Sequence, residues 1–327
     1  MHNSRIAAAV VAITALSAAM TLAPRGAHAQ QKYPAKPIRL IVSFSAGGTS
    51  DTLARLLGPR VSEALSQPIV IENRPGAGGT LATNIVAKAP ADGYTLLAVS
   101  PGFAITAAMQ PNLPYDPLKD FSAVANIGFS TLALVVAPSL GVKSVKELIA
   151  LAHAQPGKVF FGSAGAGSGT HMNGERFRLV AGIKAVHVAF KGQPEFLIEV
   201  MAGRVQYGVA GLGPAMPMIK EGRLLPLAVL PARTVLLPDV PAMSDVLAGA
   251  ARDGSQAWLA PAGTPRAILH QISRELARAL AQPDVKERLQ NIAFHVAHSP
   301  PEETDRLIRG DIASFNKLVR DAGLRAK

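Results

Sequence analysis

The sequence predicts an α/β protein made of two units in series, and three observations carry that prediction. Short apolar runs alternate with helical stretches through Gly- and Pro-bearing loops, the pattern of an α/β domain with a largely parallel sheet. The alternation pauses at a Pro-rich connection over 111–117 and restarts at Leu132. A strand, a Gly-rich loop and a helix start recur in that order three times. With 327 residues, 49% of them hydrophobic, the chain is long enough to bury two cores of ordinary domain size.

The first recurrence occupies 38–57. A run of β-branched residues and Leu from Ile38 reads as a buried strand, and Leu53, Leu56, Leu57 and Val61 recur at helical spacing. Between them lie Ser43, Phe44, Ser45, Ala46, Gly47, Gly48, Thr49, Ser50 and Asp51. The glycines let backbone approach a guest, and the following helix turns unpaired N–H groups and its positive dipole end towards it. That makes an anion site from main chain. A turn capped by Ser50 or Asp51 explains the same residues taken alone; the recurrence favours the site. Pro59, after Gly58, is expected to kink or break the helix.

A second strand over 68–72 runs through a loop holding Ala77, Gly78 and Gly79 into a helix over 81–89. Asp92-Gly93-Tyr94 turns the chain into a third strand, 95–99, which ends at Ser100-Pro101-Gly102. The strand over 121–127 leads out of the first unit. In the second unit a strand at 132–137 precedes the capping box Ser144-Val-Lys-Glu147, which opens a helix to about Ala154. A strand at 159–161 enters the third glycine loop, 162–171, and a helix continues to about Ala181. Strands at 186–190, 205–210 and 224–230, with a helix at 196–201, complete the unit. Gly211 to Pro214 reads as a fourth glycine-bearing loop, and 232–256 is turn-rich.

Thr264 as cap and Pro265 at the first turn start a helix to about Ala281, and another spans 283–291. The last helix is expected to open at a Ser299-Pro-Pro-Glu302 capping box. Leu307, Ile308, Ile312, Phe315, Leu318 and Val319 form one stripe that docks on a core. A helical tail with no strands of its own to cover is expected to pack back on the first unit. The division is therefore residues 30–128 with 252–327 as domain 1, and 129–251 as domain 2.

Residues 1–29 read as a secretory leader: Arg5 as the positive region, an apolar stretch over 6–23, and Ala27-His28-Ala29 as a small-x-small cleavage site before Gln30. A membrane anchor is the competing reading of so long an apolar stretch. Cleavage places the mature protein in a bacterial periplasm. The absence of cysteine excludes a lipid anchor, disulfides and thiol catalysis. The net charge of +11 falls to +9 without Arg5 and Arg25. The basic residues are dispersed and not interleaved with aromatics, which argues against nucleic acid and suits the gathering of small anions.

Several motifs resemble the solute-binding receptors of tripartite tricarboxylate transporters, the Bug-type extracytoplasmic receptors. They are Tyr33-Pro-x-Lys-Pro-Ile-Arg-Leu-Ile-Val42, Phe44-x-Ala-Gly-Gly-x-x-Asp51, Glu72-Asn-Arg-Pro-Gly-Ala-Gly-Gly79, Asp92-Gly-Tyr94, Gly162-Ser-x-Gly-x-Gly-Ser168 with His171, Phe190-Lys-Gly192, Pro238-Asp-Val-Pro241 and Ala260-Pro-Ala-Gly-Thr-Pro265. They cover essentially all of the chain after the leader. The resemblance implies a two-domain periplasmic-binding-protein fold of the type II, Venus-flytrap kind, with a ligand cleft between the domains. It also implies a small carboxylate ligand (a di- or tricarboxylate, an amino acid or an aromatic acid), membrane permease subunits as partners, and a monomer without cofactor. Carried over by position, Phe44, Ala46, Gly47, Gly48 and Asp51 fall on the first loop, and Ser163, Gly165, Gly167, Ser168 and His171 on the second. Ala77, Gly78, Ser100 and Thr170 complete the expected ligand-binding set. Departures are Ser43 where the family has proline, Gly208 to Pro214 without its usual Asp or Asn, and Ala242 with Asp245 after Pro241.

Backbone donors suit a receptor, which must hold an anion without reacting with it. Ser163, Ser168 and Thr170 serve equally as donors to a ligand or as helix caps. Asp51 reads as a brace, since it would repel an anion, and Arg74 either pairs with Glu72 or approaches the ligand. No Gly-x-Ser-x-Gly elbow surrounds Ser163 or Ser168, so a serine hydrolase is disfavoured. His171 reads as orienting the second loop rather than as a catalytic base. The dinucleotide fingerprint and the Lys-bearing phosphate loop are absent. His295 and His298 have no further ligand near them in sequence, so no metal is expected. A carboxylate-sensing module for a signalling partner shares every one of these features and stands as the alternative. The neutral edge from Gly211 to Pro214 leans the ligand towards one with an apolar or aromatic part.

Overall fold

The opening apolar run forms strand β1 (Ile38–Val42), all but Arg39 buried, and the chain passes through the first loop into helix α1 (Thr49–Leu65). The computed structural model describes residues 33–44, 46–250 and 254–324; the leader and cleavage position expected at 1–29 lie outside the described residues. Helix α1 runs on through Pro59, against the expected break. Burial of Leu53, Leu57, Val61 and Leu65 carries the helix past the missing N–H, and Arg60 Nη1 donates to the Leu56 carbonyl at 2.8 Å. Strand β2 (Ile69–Asn73), helix α2 (Thr80–Ala87), strand β3 (Thr95–Val99) and helix α3 (Gly102–Met109) follow. The sequence reading missed α3. Its residues Phe103, Ala104, Ile105, Thr106 and Ala108 are buried around most of its circumference, so no apolar stripe marks it.

Strand β4 (Phe121–Ser130) leads through Thr131 directly into β5 (Leu132–Val136). Helix α4 (Val145–Ala154) opens on the expected cap: Glu147 N–H donates to Ser144 Oγ at 3.2 Å. The second unit continues as β6 (Val159–Ser163), α5 (Gly169–Val180), β7 (Ala185–Ala189), α6 (Gln193–Met201), β8 (Tyr207–Gly211), α7 (Leu212–Lys220), β9 (Leu225–Leu230) and the short α8 (Met243–Val246). Helix α7 replaces the loop expected at 211–214. Pro214 falls in its first turn, where a missing N–H costs nothing. The tail holds β10 (Gln256–Pro261), α9 (Arg266–Ala281), α10 (Pro283–Asn291), β11 (Phe294–Ser299) and α11 (Pro301–Asp321). It therefore supplies two strands, unlike the strandless tail expected. Neither late cap forms: Thr264 Oγ1 donates back to the Pro261 carbonyl, and Ser299 is the end of β11, its carbonyl accepting from Thr304 Oγ1.

Two sheets result, ordered β11-β4-β10-β3-β1-β2 and β7-β6-β8-β5-β9. Both are mixed rather than largely parallel. In the first, β10 runs antiparallel to β3 and β4; in the second, β5 runs antiparallel to β8 and β9. β10 and β5 are each the first strand after the chain crosses from the other sheet, and β11, also reversed, pairs antiparallel with β4 at the edge of the first sheet. The parallel pairs that remain are β1 with β2 and β3, and β6 with β7 and β8. Phe103, Leu259, Ile312 and Phe315 lie in the core between the first sheet and α11. Leu148, Phe161 and Phe177 cover one face of the second sheet, and Phe196 and Leu212 the other.

Where β4 meets β11 the backbones nearly touch. Gly128 has φ +150°, and a Cβ there would sit 2.0 Å from the His295 carbonyl oxygen. Gly128→Ala is expected to destabilise the fold by about 3 kcal/mol, read as a lower denaturant midpoint at unchanged m-value.

Candidate functional site

Five helices, α1, α3, α5, α6 and α7, each follow a strand of a parallel pair, and their first residues Thr49, Gly102, Gly169, Gln193 and Leu212 line one cavity of about 700 Å³. From the first sheet it is lined also by Phe44, Gly47, Gly78 and Ser100, and from the second by Gly167, Ser168, Thr170 and Gln193. Where the chain crosses between sheets, Thr131, Ile292 and Phe294 close a third side. Among the described residues, none lining this cavity has a charged side chain.

The first loop is braced from below. Asp51 is buried and accepts the Gly47 N–H at 2.9 Å and Asn73 Nδ2 at 3.0 Å, and it ion-pairs with Arg55 at 3.0 Å. Asn73 also donates to the Phe44 carbonyl at 3.1 Å. Burial pushes the Asp51 carboxyl up, but Arg55, the Gly47 amide and Asn73 outweigh it and hold the group below its usual range. Gly102 lets Phe44 cross it: a Cβ would meet the Phe44 ring at 2.7 Å. Arg74 pairs with Glu72, whose carboxyl is lowered to about 2, first by its hydrogen bond to Arg39 and then by Arg74.

The second loop is tied by its own side chains. The Ala164 N–H donates to Thr170 Oγ1 at 2.9 Å, Gly165 to Ser163 Oγ at 3.2 Å and Gly167 to His171 Nδ1 at 3.1 Å. Ser168 caps α5 by accepting the His171 N–H at 3.2 Å. The Gly167 bond requires a lone pair on Nδ1 of His171, so a neutral ring carries its proton on Nε2, which lies 3.8 Å from Glu175 Oε1. His171 stacks on His187 at 3.9 Å between ring centroids, and His187 Nε2 is 2.7 Å from Ser163 Oγ. Burial lowers both imidazoles to about 4, helped by Arg178 at His171 and by His171 at His187, where Glu175 opposes it.

Of the residues expected at the site, Phe44, Gly47, Gly78, Ser100, Gly167, Ser168 and Thr170 line the cavity. Asp51, Ser163 and His171 stand behind it as buried supports, and Ala46, Gly48, Ala77 and Gly165 are not among the lining residues. The loop amides of Gly47, Gly165 and Gly167 are already bonded, which turns a guest towards the helix starts, and α1 carries no side-chain cap. Sequence reasoning missed Gln193, Thr131, Ile292 and Phe294. Gln193 directly follows a recognised motif, whereas the other three have no local signal. His298 hydrogen-bonds Ser273, and among the described residues no group of three or more His, Asp or Glu is placed to hold a metal.

Two mixed sheets facing one cleft, the first delivering two helix N-termini to it and the second three, define a two-lobed binding-protein fold. The chain belongs to the receptor family of the tripartite tricarboxylate transporters: the family model described as "Tripartite tricarboxylate transporter family receptor" matches residues 53–324. Protein BugT of Bordetella pertussis is 33% identical over 301 residues, covering 90% of this chain and 92% of that protein. The structure of Rpa4515 of R. palustris with adipate superposes with a TM-score of 0.75 at 32% identity, covering 89% of this chain and 98% of the other. MatC of Rhodopseudomonas palustris with bound malate gives 0.71 at 29%, covering 88% and 100%.

The stacked imidazole pair, His171 buried and His187 half-buried, makes stability pH-dependent. Between pH 6.5 and about 4 the unfolded chain binds protons that the folded state refuses, so stability is full above pH 6.5 and falls as pH drops towards 4. The loss across that window is expected to be on the order of 3 kcal/mol for each imidazole, since each tenfold difference in proton affinity between the two states is worth about 1.4 kcal/mol. Urea titrations at pH 7.5 and 4.5 measure it, and His187→Gln should flatten the dependence.

Proposed function

We propose that this protein is a periplasmic receptor that captures a small carboxylate between its lobes and delivers it to the membrane permease of a tripartite tricarboxylate transporter. The observation that carries the reading is the convergence of five helix N-termini, from both sheets, on a cavity whose lining residues include no cation. Helix N-termini bind anions through unpaired N–H groups and dipole. Each hydrogen bond to a charged group contributes roughly 1.5–3 kcal/mol. A few of them, less ordering costs, suit a Kd near about 1 μM. The relatives bound to adipate and malate support an acid as guest.

In this reading the two sheets belong to separate lobes, residues 30–128 with 252–327 and residues 129–251, which close about the crossings at 131 and near 231–255. Phe44, Ala46, Gly47, Gly48, Asp51, Ala77, Gly78 and Ser100 serve the first lobe's side of the site. Ser163, Gly165, Gly167, Ser168, Thr170 and His171 serve the second, some as contacts and some as braces. Closure makes a surface that the open form lacks, which the permease reads. Residues 1–29 act as a leader removed after Ala29, and the receptor works as a monomer, without cofactor and without turning over its ligand.

Thermal unfolding of the purified protein against a panel of small carboxylates tests this. A ligand at a thousandfold excess over Kd adds about 4 kcal/mol, a rise on the order of 10 °C that scales with the logarithm of concentration. A folded protein, free of carried-over ligand and shifted by no acid, would reject the carboxylate reading.

A further inference from the structure

We infer that the acid selected by this cleft has a single carboxylate and an apolar body, aliphatic or aromatic, seated where the chain crosses between the sheets. The inference rests on the carboxylate reading of the same cavity and names the kind of acid. Hydrogen-bond donors are unevenly distributed around it. Helices α1 and α5 begin with Gly48 and Gly169 beside them, and the side-chain cap of α5 uses only the His171 amide. Helix α7 begins at the same cavity with two N–H groups engaged and one missing at its start. The Leu212 N–H donates to the Thr131 carbonyl at 2.8 Å, the Gly211 N–H to Gln193 Oε1 at 2.8 Å, and Pro214 has none. Gln193 Nε2 in turn donates to the Gly211 carbonyl at 2.9 Å, so its amide is bonded at both ends.

What α7 presents instead is hydrocarbon. Leu132, Leu212, Pro214, Ile292 and Phe294 all line this side. Pairing of Phe294 with Ser130, and an approach so close that a Cβ on Gly213 would lie 3.1 Å from the Ile292 carbonyl oxygen, hold them together. Ile292 is 40% exposed, unusual for so large an apolar side chain facing a cavity. A second carboxylate placed there would lose water and gain no cation, with only the neutral side chains of Ser130, Thr131 and Asn291 nearby to donate to it, which is costly. An apolar body would instead cover Ile292. At about 700 Å³ the cavity falls among those that enclose ligands of drug size, and so has room for such a body beside the carboxylate.

Hexanoate and adipate test this directly, because they share a chain length and differ by one terminal carboxylate. Calorimetric titration of the purified protein should give hexanoate and phenylacetate at least about tenfold tighter than adipate, succinate or citrate. Ile292→Ser should weaken phenylacetate about fivefold and leave adipate within about twofold. Ile292→Lys, which supplies a cation at an exposed position, should narrow or reverse the preference. Ligand-free unfolding midpoints of both variants should match the parent, since Ile292 is largely outside the core. Adipate binding tighter than hexanoate, or phenylacetate indifferent to Ile292→Ser, overturns the inference and leaves the carboxylate receptor standing. Binding of none of these acids by a well-folded protein overturns both.

Discussion

Parallel pairing of β1 with β3, and of β6 with β8, is the constraint on which the site depends. Two parallel strands end on the same edge of a sheet, so the helices that follow them must start there. The first sheet thus presents two helix N-termini to the cavity and the second three, and the cavity is what lies between the two edges. The reversed strands serve this geometry. β10 and β5 carry the chain across and occupy interior places in their sheets, so the crossing segments come back beside the cleft. Thr131 shows how tightly that crossing is held: its N–H donates to the Ala293 carbonyl and its own carbonyl accepts from Leu212, both within 2.9 Å.

Much of this architecture was legible in the sequence, and the losses have identifiable causes. Strand 95–99 and the Ser144 cap are as read, because a buried parallel strand and a helix start leave local marks. Helix α3 left none, being apolar around most of its circumference, and α7 was hidden by Gly213 and Pro214, which suit a first helical turn as well as a loop. The Ser299 cap failed because β11 claimed the serine as its last residue. Mixed sheets could not be foreseen, since strand direction is decided by which sheet the chain enters and not by any residue within the strand.

The site divides the same way. Its two glycine loops are each contiguous in sequence and could be found there. The third side joins Thr131 to Ile292 and Phe294 through a strand pairing between β4 and β11, and no local pattern announces a contact between segments so distant in the chain. The loops also differ in role from what their glycines suggest. Gly47, Gly165 and Gly167 spend their amides on Asp51, Ser163 and His171, so these bonds fix the direction of the helices behind them.

Two unlike acceptors do this fixing, and both leave the cleft without added charge. In the first lobe the acceptor is a carboxylate, Asp51, whose negative charge would oppose an anion were it not paired with Arg55. In the second it is an imidazole, His171, which burial keeps neutral. The field inside the cleft is therefore left to the helix ends, each equivalent to roughly half a charge. Those ends are shared between the two sheets, so an anion held from both sides keeps its donors only while the two edges face each other across it. With no single lysine or arginine among the lining residues to hold the ligand on one side, parting the edges would remove a large share of its stabilisation at once. Capture and release then follow from the same geometry.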